Sequence, residues 1–299
     1  MAGSSVCIRL IFNMRQRSTI RPSRLGQRGF TIIEIVITLL VSSILAIGIV
    51  GYIGDAVEGF AASSNRNKLA TSGRNVVDRI ALELHNAVPN SIRVSTAQGT
   101  GDQCLEFIPF IGASNYRDAP FTGGGGTDFE AIDFNPVLTL ASPADRHAVI
   151  YPINIQDLYD GGSPGPRALI DEIEDTGGAD GLVTVRLDAT HRFSRRSPVE
   201  RFYVADRPVS FCVEGGQLFR YQNYGFQSTQ CTPDTASCLP ETAPDRTLIS
   251  LSIDNASLTA FEIMPATLRR NAIISLDLNF AESGDEVRIK HEVLMRNVP

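Results

Sequence analysis

The sequence predicts an α+β protein in which one long N-terminal helix is laid on a largely antiparallel β-sheet. Three observations predict it. Residues 30–53 form an unbroken apolar run, apolar residues at helical spacing continue to about residue 88, and from about residue 90 short alternating segments are separated by turn residues.

The apolar run, Phe30 to Ile53, is 24 residues long and carries one charge, Glu34. About 20 helical residues cross the hydrocarbon core of a bilayer, whereas the apolar part of a secretory signal is roughly 7 to 15 residues. The run is therefore read as a membrane span. Arg9, Arg15, Arg17, Arg21, Arg24 and Arg28 precede it with no acid among them, and Asp55 and Glu58 follow it. The positive-inside rule then places residues 1–29 in the cytoplasm and the chain beyond the span on the opposite side. A simple anchor leaves Glu34 unexplained, because an acid at the bilayer centre costs about 2.5 to 3.5 kcal/mol, less near the end of a span, and is usually paired or functional.

Helical spacing continues through Val57, Phe60 and Ala61, then Val76, Val77, Ile80, Leu84 and Val88. This predicts a helix whose second half, residues 54–88, is amphipathic and packs on a sheet. Gly48, Gly51 and Gly54 either loosen the span or allow close packing against other helices, or simply reflect how common glycine is in membrane helices. Gly73 weakens the pattern, and Pro89 ends it.

Residues 89–299 read as a β-rich domain. Candidate strands are "CLEFIPF" (104–110), "HAVIYPI" (147–153), "GLVTVRL" (181–187), "ERFYV" (200–204), "TLISLSI", "LTAFEIM", "IISLDLNF" and "VRIKHEVLM". The clearest is "VSFCVEGGQLFRYQ" (209–222), where Gly215-Gly216 between two alternating runs predicts a hairpin. Glycine- and proline-rich stretches at 122–128, 160–167 and 232–245 read as loops.

Charge argues against one class of partner. The whole chain has 27 basic and 33 acidic residues, but the leader holds six of the basic ones, leaving 21 basic against 33 acidic beyond it. An acidic body lacks the clustered positive surface that nucleic acid needs, so no nucleic-acid partner is expected. The four arginines Arg192, Arg195, Arg196 and Arg201 read as a charged surface turn.

Four cysteines, Cys104, Cys212, Cys231 and Cys238, follow the span, and Cys7 lies in the leader. An even number outside the cytoplasm points to disulfides, for which three pairings exist. The favoured one joins Cys231 to Cys238 around a short proline-containing loop and Cys104 to Cys212 as a longer staple. Zinc is disfavoured, since there is no C-x-x-C and no neighbouring histidine pair.

No catalytic constellation is visible. His85, His147, His191 and His291 are scattered, and the glycines at 123–126 lack the Gly-Lys-Ser/Thr ending of a phosphate loop. The acidic stretch 171–181 offers carboxylates for Ca²⁺ but departs from EF-hand spacing and reads as a solvated loop. The expectation is no enzyme, no cofactor and no resident metal.

The stretch Arg28-Gly29-Phe30-Thr31-Ile32-Ile33-Glu34, followed by the apolar helix, resembles the N-terminus of type IV prepilins and pseudopilins. That resemblance implies cleavage between Gly29 and Phe30 by a membrane-embedded prepilin peptidase and N-methylation of Phe30. It also implies that Glu34 neutralises the new α-amino cation of an adjoining subunit during assembly, which explains a carboxylate in lipid. Met14 rather than Met1 is an alternative start. Downstream, "LHNAVPNSIRV" (84–94), "CLEFIPF", "RPVSFCVEGGQLFRYQNYGF" (207–226) and "HEVLMRNVP" resemble MshO-type minor pilin-like proteins of the mannose-sensitive haemagglutinin pilus. J-type minor pseudopilins of type II secretion are similar too, and a tip adhesin or DNA-capture module is the alternative of another class. The resemblance implies an inner-membrane, single-pass protein with a periplasmic domain that passes into a pilus or pseudopilus. Its implied partners are the prepilin peptidase, major and minor pilins, the inner-membrane assembly platform and membrane lipid.

Overall fold

The computed structural model describes residues 29–97, 101–134, 138, 145–175, 181–233, 238–265 and 272–295. The basic leader up to Arg28, with Cys7 and Met14, lies outside them. The chain divides into two compact units, Met1–Glu58 and Gly59–Pro299.

In the first unit the described chain is helical from Ile32, where α1 (Ile32–His85) begins, and residues 29–58 are all exposed. Two of the hydroxyls in this apolar stretch satisfy themselves locally: Thr38 Oγ1 donates to the Ile35 carbonyl at 2.9 Å and Ser43 Oγ to that of Leu40 at 2.8 Å. A helix also pairs its own backbone internally, the condition for crossing hydrocarbon. It is long and apolar enough to cross a membrane.

In the second unit the helix buries one stripe, Leu69, Gly73, Val76, Val77, Ile80, Ala81 and Leu84, at the three- and four-residue spacing of a single face. Ile80 and Leu84 are fully enclosed, each worth about 1.5 to 3 kcal/mol of burial. The helix closes at His85. Asn86 and Ala87 bond three residues back, and the Val88 N–H turns away to the Ile108 carbonyl at 2.8 Å. The residue before a proline disfavours helical dihedrals, so the chain leaves ahead of Pro89.

After the helix come β1 (Arg93–Val94) and β2 (Gln103–Phe107). Six strands and a short helix follow: β3 (Phe110–Asp118), β4 (Gly126–Ile132), β5 (His147–Ile150), α2 (Ile155–Asp160), β6 (Arg167–Asp175), β7 (Leu182–His191) and β8 (Arg201–Ala205). The chain ends in β9 (Val209–Glu214), β10 (Gln217–Tyr221), β11 (Arg246–Ser250), β12 (Phe261–Met264), β13 (Ile273–Glu282) and β14 (Asp285–Leu294).

These strands form three bodies, antiparallel throughout their pairing. A five-stranded sheet runs β1-β2-β9-β10-β11, a three-stranded sheet runs β12-β13-β14, and β3-β4-β7-β6-β5-β8 close into a barrel. The two open sheets share one core with the helix, in which Leu84, Phe107, Phe211, Leu276 and Phe280 are buried. Together they make the base of the domain. The predicted hairpin is β9-β10, turning at Gly215 and Gly216, both with positive φ.

Gly73, read from sequence as a weakness, is where the helix lies directly against side chains of the three-stranded sheet. A Cβ there would lie 2.6 Å from Ile289 Cδ1 and 2.8 Å from the Phe280 ring, so only glycine lets helix and sheet touch without a shift. Two buried amides join the parts of the base. Gln103 Oε1 accepts from the Phe261 N–H at 2.9 Å while its Nε2 donates to the Ser95 and Phe261 carbonyls. Asn255 accepts from the Asn279 N–H at 2.9 Å and donates to the Asp277 carbonyl at 2.7 Å.

The barrel is an insertion between two strands that are already neighbours. β2 and β9 pair with Phe107 opposite Val209, and all six barrel strands lie between those two residues in sequence. Its interior is filled by aromatic rings, with Phe129 and Phe202 edge-on at 5.2 Å and Phe193 against Phe129 at 5.9 Å. It docks through a smaller cluster in which Val88, Ile108, Leu158 and Tyr159 are buried together. There the Tyr159 hydroxyl donates to the Ser91 carbonyl at 2.9 Å, and the Arg93 guanidinium stacks 3.6 Å above the Tyr159 ring.

Two expected loops are corrected. Residues 126–128 of the glycine stretch open β4, and residues 171–175 of the acidic stretch belong to β6; residues 176–180 lie outside the described chain. The acids mislead because they occupy outward positions of strands whose alternate residues, Phe129 and Ala131 or Ala168 and Ile170, point into the barrel.

Candidate functional site

Gly29 and Phe30 precede the first helical residue, and Phe30 is 74% exposed. The peptide bond between them is solvent-exposed and outside the helix, as a protease requires. Helix α1 then starts on a side-chain cap. Thr31 Oγ1 accepts from the Glu34 N–H at 3.3 Å, and the Thr31 carbonyl accepts from the Ile35 N–H at 3.2 Å. Thr31-x-x-Glu34 is the capping-box pattern, with its acid three residues after the cap and beside the positive end of the helix dipole. The Thr31 hydroxyl therefore has a structural use at the start of the helix, which sequence reasoning missed although the Thr-x-x-Glu spacing signals it.

Residues 24–50 match the family model described as the prokaryotic N-terminal methylation motif. This N-terminus is type IV prepilin-like. No curated protein and no solved structure matches the chain. A type IV pilin-like motif implies processing by a prepilin peptidase and assembly with other pilins, and the apolar helix fits membrane anchoring. The motif family consists of structural subunits rather than enzymes.

The four cysteines form two disulfides. Cys104 and Cys212 face each other directly across β2 and β9 and are bonded, and Cys231 is bonded to Cys238. The first bond ties the two strands between which the barrel is inserted.

Of the four histidines, the structure brings two together. His147 on β5 and His191 on β7 line one cavity on the barrel with Arg167 of β6, an arginine that sequence reasoning passed over. Burial and the Arg167 charge push both imidazoles below the usual histidine value, His147 to about 4. Of the arginine cluster, Arg196 stacks 4.6 Å above Phe121. No group of three or more His, Cys, Asp or Glu side chains able to hold a metal occurs among the described residues.

In the base, Glu106 of β2 is fully enclosed and accepts from Arg93 Nε at 2.7 Å and the Tyr224 hydroxyl at 3.0 Å. Burial raises its pKa despite the opposing effect of Arg93. Arg93 also donates to the Gln227 and Ser228 carbonyls, so this pair anchors the segment after β10 to the sheet.

Proposed function

We propose that the chain is a minor pilin or pseudopilin, a structural subunit cut between Gly29 and Phe30, N-methylated at Phe30 and added to a filament through its N-terminal helix. The observation that carries this reading is the methylation motif at residues 24–50, set on an exposed peptide bond and an apolar helix that starts two residues later. In this reading residues 30–53 span the inner membrane, the barrel and base are periplasmic, and Glu34 neutralises the α-amino group of an adjoining subunit. The inserted barrel adds bulk beside the helix-bearing base, which favours a place at the tip or in initiation, where lateral neighbours are fewer. The downstream resemblance in the β2 and β9–β10 segments supports an MshO-like role in a mannose-sensitive haemagglutinin-type pilus. A J-type pseudopilin would carry the same N-terminus, and loss of pili rather than of secretion on gene deletion separates the two.

Mass spectrometry of the chain from its native membrane tests the processing step, with a methylated Phe30 terminus expected. An uncut leader in cells that mature their other pilins overturns the reading. Glu34→Gln tests the pairing cleanly because glutamine also serves in a capping box. The helix start and membrane insertion are kept, the charge alone is lost, and incorporation into filaments should fail. Normal incorporation would overturn the pairing.

A further inference from the structure

The barrel carries a cavity of about 290 Å³ walled by His147, Arg167, Asp188 and His191, and by Gly161 and Ser163 of the turn after α2. Ligand cavities run from roughly 300 to 1,000 Å³, so this one holds something the size of a single sugar. Residues distant in sequence meet here because the strands are in register across β6, with His147 opposite Leu169 and Ile170 opposite Leu187.

Arg167 is built into the wall. Its Nε donates to the Leu158 carbonyl at 2.9 Å, Nη2 donates to that of Tyr159 at 3.4 Å, and the guanidinium lies 3.7 Å above the Phe226 ring. Gly161 is a requirement of this placement, since a Cβ there would sit 2.6 Å from Nη2. Nη1 has no protein partner among the described residues. Burial lowers the guanidinium to about 10, so it remains a cation at neutral pH. His147 is 9% exposed, and its ring is enclosed beside the Asp145 backbone. His191 is 6% exposed and lies 3.1 Å through Nε2 from the Gly165 carbonyl. The imidazoles pack edge-on against aromatic rings, His147 on Phe226 at 4.7 Å and His191 on Phe193 at 4.8 Å, so the wall is rigid, and it places a fixed guanidinium at a cavity whose surroundings are otherwise aromatic and aliphatic.

The wall combines two chemistries. Arg167 matches a carboxylate through its planar donors. Asp188, exposed on β7, is an acceptor, and the Ser163 hydroxyl, which accepts from the Arg192 N–H at 3.0 Å, retains its own proton to donate. A simple anion would gain nothing from Asp188, whereas an acid that also carries hydroxyls uses every group.

We propose that this cavity binds a hydroxylated carboxylate of sugar size, such as a uronic acid, with Arg167 holding the carboxylate and Asp188 and Ser163 engaging the hydroxyls. The site stands on the barrel and is independent of how the N-terminus is processed.

The test is an NMR titration of the intact chain in detergent, observing the His147 and His191 ring signals, with glucuronate, acetate and glucose as probes. Glucuronate should shift both rings saturably in the millimolar range or tighter, acetate should bind about tenfold more weakly, and glucose should not bind. Equal binding of acetate and glucuronate, or no saturable shift with glucuronate, overturns the proposal. Arg167→Gln should abolish the response with the fold retained. Should it fail to fold, the exposed Asp188→Asn serves instead, weakening glucuronate several-fold while leaving acetate unchanged; no change for glucuronate in that variant also overturns the proposal. A polymeric source is distinguished by adding a uronic-acid oligosaccharide, which binds at least as tightly as the monomer only when the cavity accepts a chain end.

Discussion

The base and the barrel are both antiparallel β structure, yet they are assembled by opposite rules. Every barrel strand pairs within residues 110–205, and closure leaves the barrel no open edge. The base instead pairs β2 with β9 across that whole insertion, and packs the helix stripe at Leu69–Leu84 on strands that end near residue 294. The barrel could be inserted because its two ends leave and re-enter where Phe107 and Val209 already face each other, so the entropy of closing the loop is small once the barrel has folded. The base sets where the barrel sits, and the barrel meets it at the cluster around Ile108 and Tyr159 and in hydrogen bonds beside it, Asn90 Nδ2 to the Pro152 carbonyl at 2.8 Å and Gln156 Nε2 to the Ser228 carbonyl at 3.2 Å.

The largest expected effect breaks the tie between them. Cys104 and Cys212 are 108 residues apart and close a loop holding the entire barrel, whereas Cys231 and Cys238 are 7 apart. In the loop-entropy model the long bond is worth about 5 kcal/mol and the short one about 2.5 kcal/mol. Replacing Cys104 and Cys212 by serine should therefore destabilise the base about twice as much as replacing Cys231 and Cys238. Urea melts of the two variants check this. Equal losses would mean that the folded barrel already holds β2 and β9 together without the bond.

Acid should separate the two regions by sign. His147 titrates at about 4 in the folded barrel against 6.5 for an ordinary histidine. Between those values the unfolded chain takes up the proton first, so its contribution is complete above 6.5 and lost as the pH falls to 4, about 3 kcal/mol in all. His191 is lowered as well and adds in the same direction. In the base Glu106 is raised above 4.5, chiefly by burial, so its contribution is largest below 4.5 and is lost as the pH rises through its folded value. Lowering the pH from 7 to 4 should loosen the barrel strands relative to the base. Hydrogen exchange by mass spectrometry, corrected for intrinsic rates, checks it. Uniform loosening would show the two cores unfolding as one unit.

Next in size is Gly73→Val, which forces a side chain against Ile289 and Phe280. Overpacking of this kind costs about 1 to 3 kcal/mol, and the loss should appear in the base with the barrel's exchange unchanged. A stability equal to that of the natural chain would show that the helix shifts freely on β13 and β14.

How far the sequence reveals these features differs between the two regions. The helix stripe and the β9–β10 hairpin are local patterns, readable from the spacing of Val76, Val77, Ile80 and Leu84 and from Gly215-Gly216 between alternating runs. Barrel closure is not local. It depends on β5 pairing with both β6 and β8, and no short window of sequence encodes which strands meet. The same reason hides the cavity, because His147 and His191 are 44 residues apart and only strand register joins them. At the N-terminus the capping role of Thr31 is legible in Thr-x-x-Glu but is eclipsed by the stronger membrane pattern around it.

The smallest effect concerns how the base holds its helix. Arg66 on the helix reaches Asp285 at the start of β14, 2.9 Å away, but its side chain is 70% exposed. Such pairs contribute about 0.2 to 1 kcal/mol, because water already solvates the arginine and ordering it costs entropy, although the Asp285 side chain is only 14% exposed. Arg66→Ala should therefore lower stability by less than about 1 kcal/mol, and the difference should vanish at about 1 M salt, where charges are screened within roughly 3 Å. Gly73→Val should keep its larger penalty at the same salt, because contact between packed atoms is not screened. If instead Arg66→Ala matches Gly73→Val and resists salt, the helix is positioned on the sheet by charge rather than by the close approach at Gly73. The base would then owe its geometry to its surface, and the contrast with the barrel's aromatic interior would be sharper than packing alone implies.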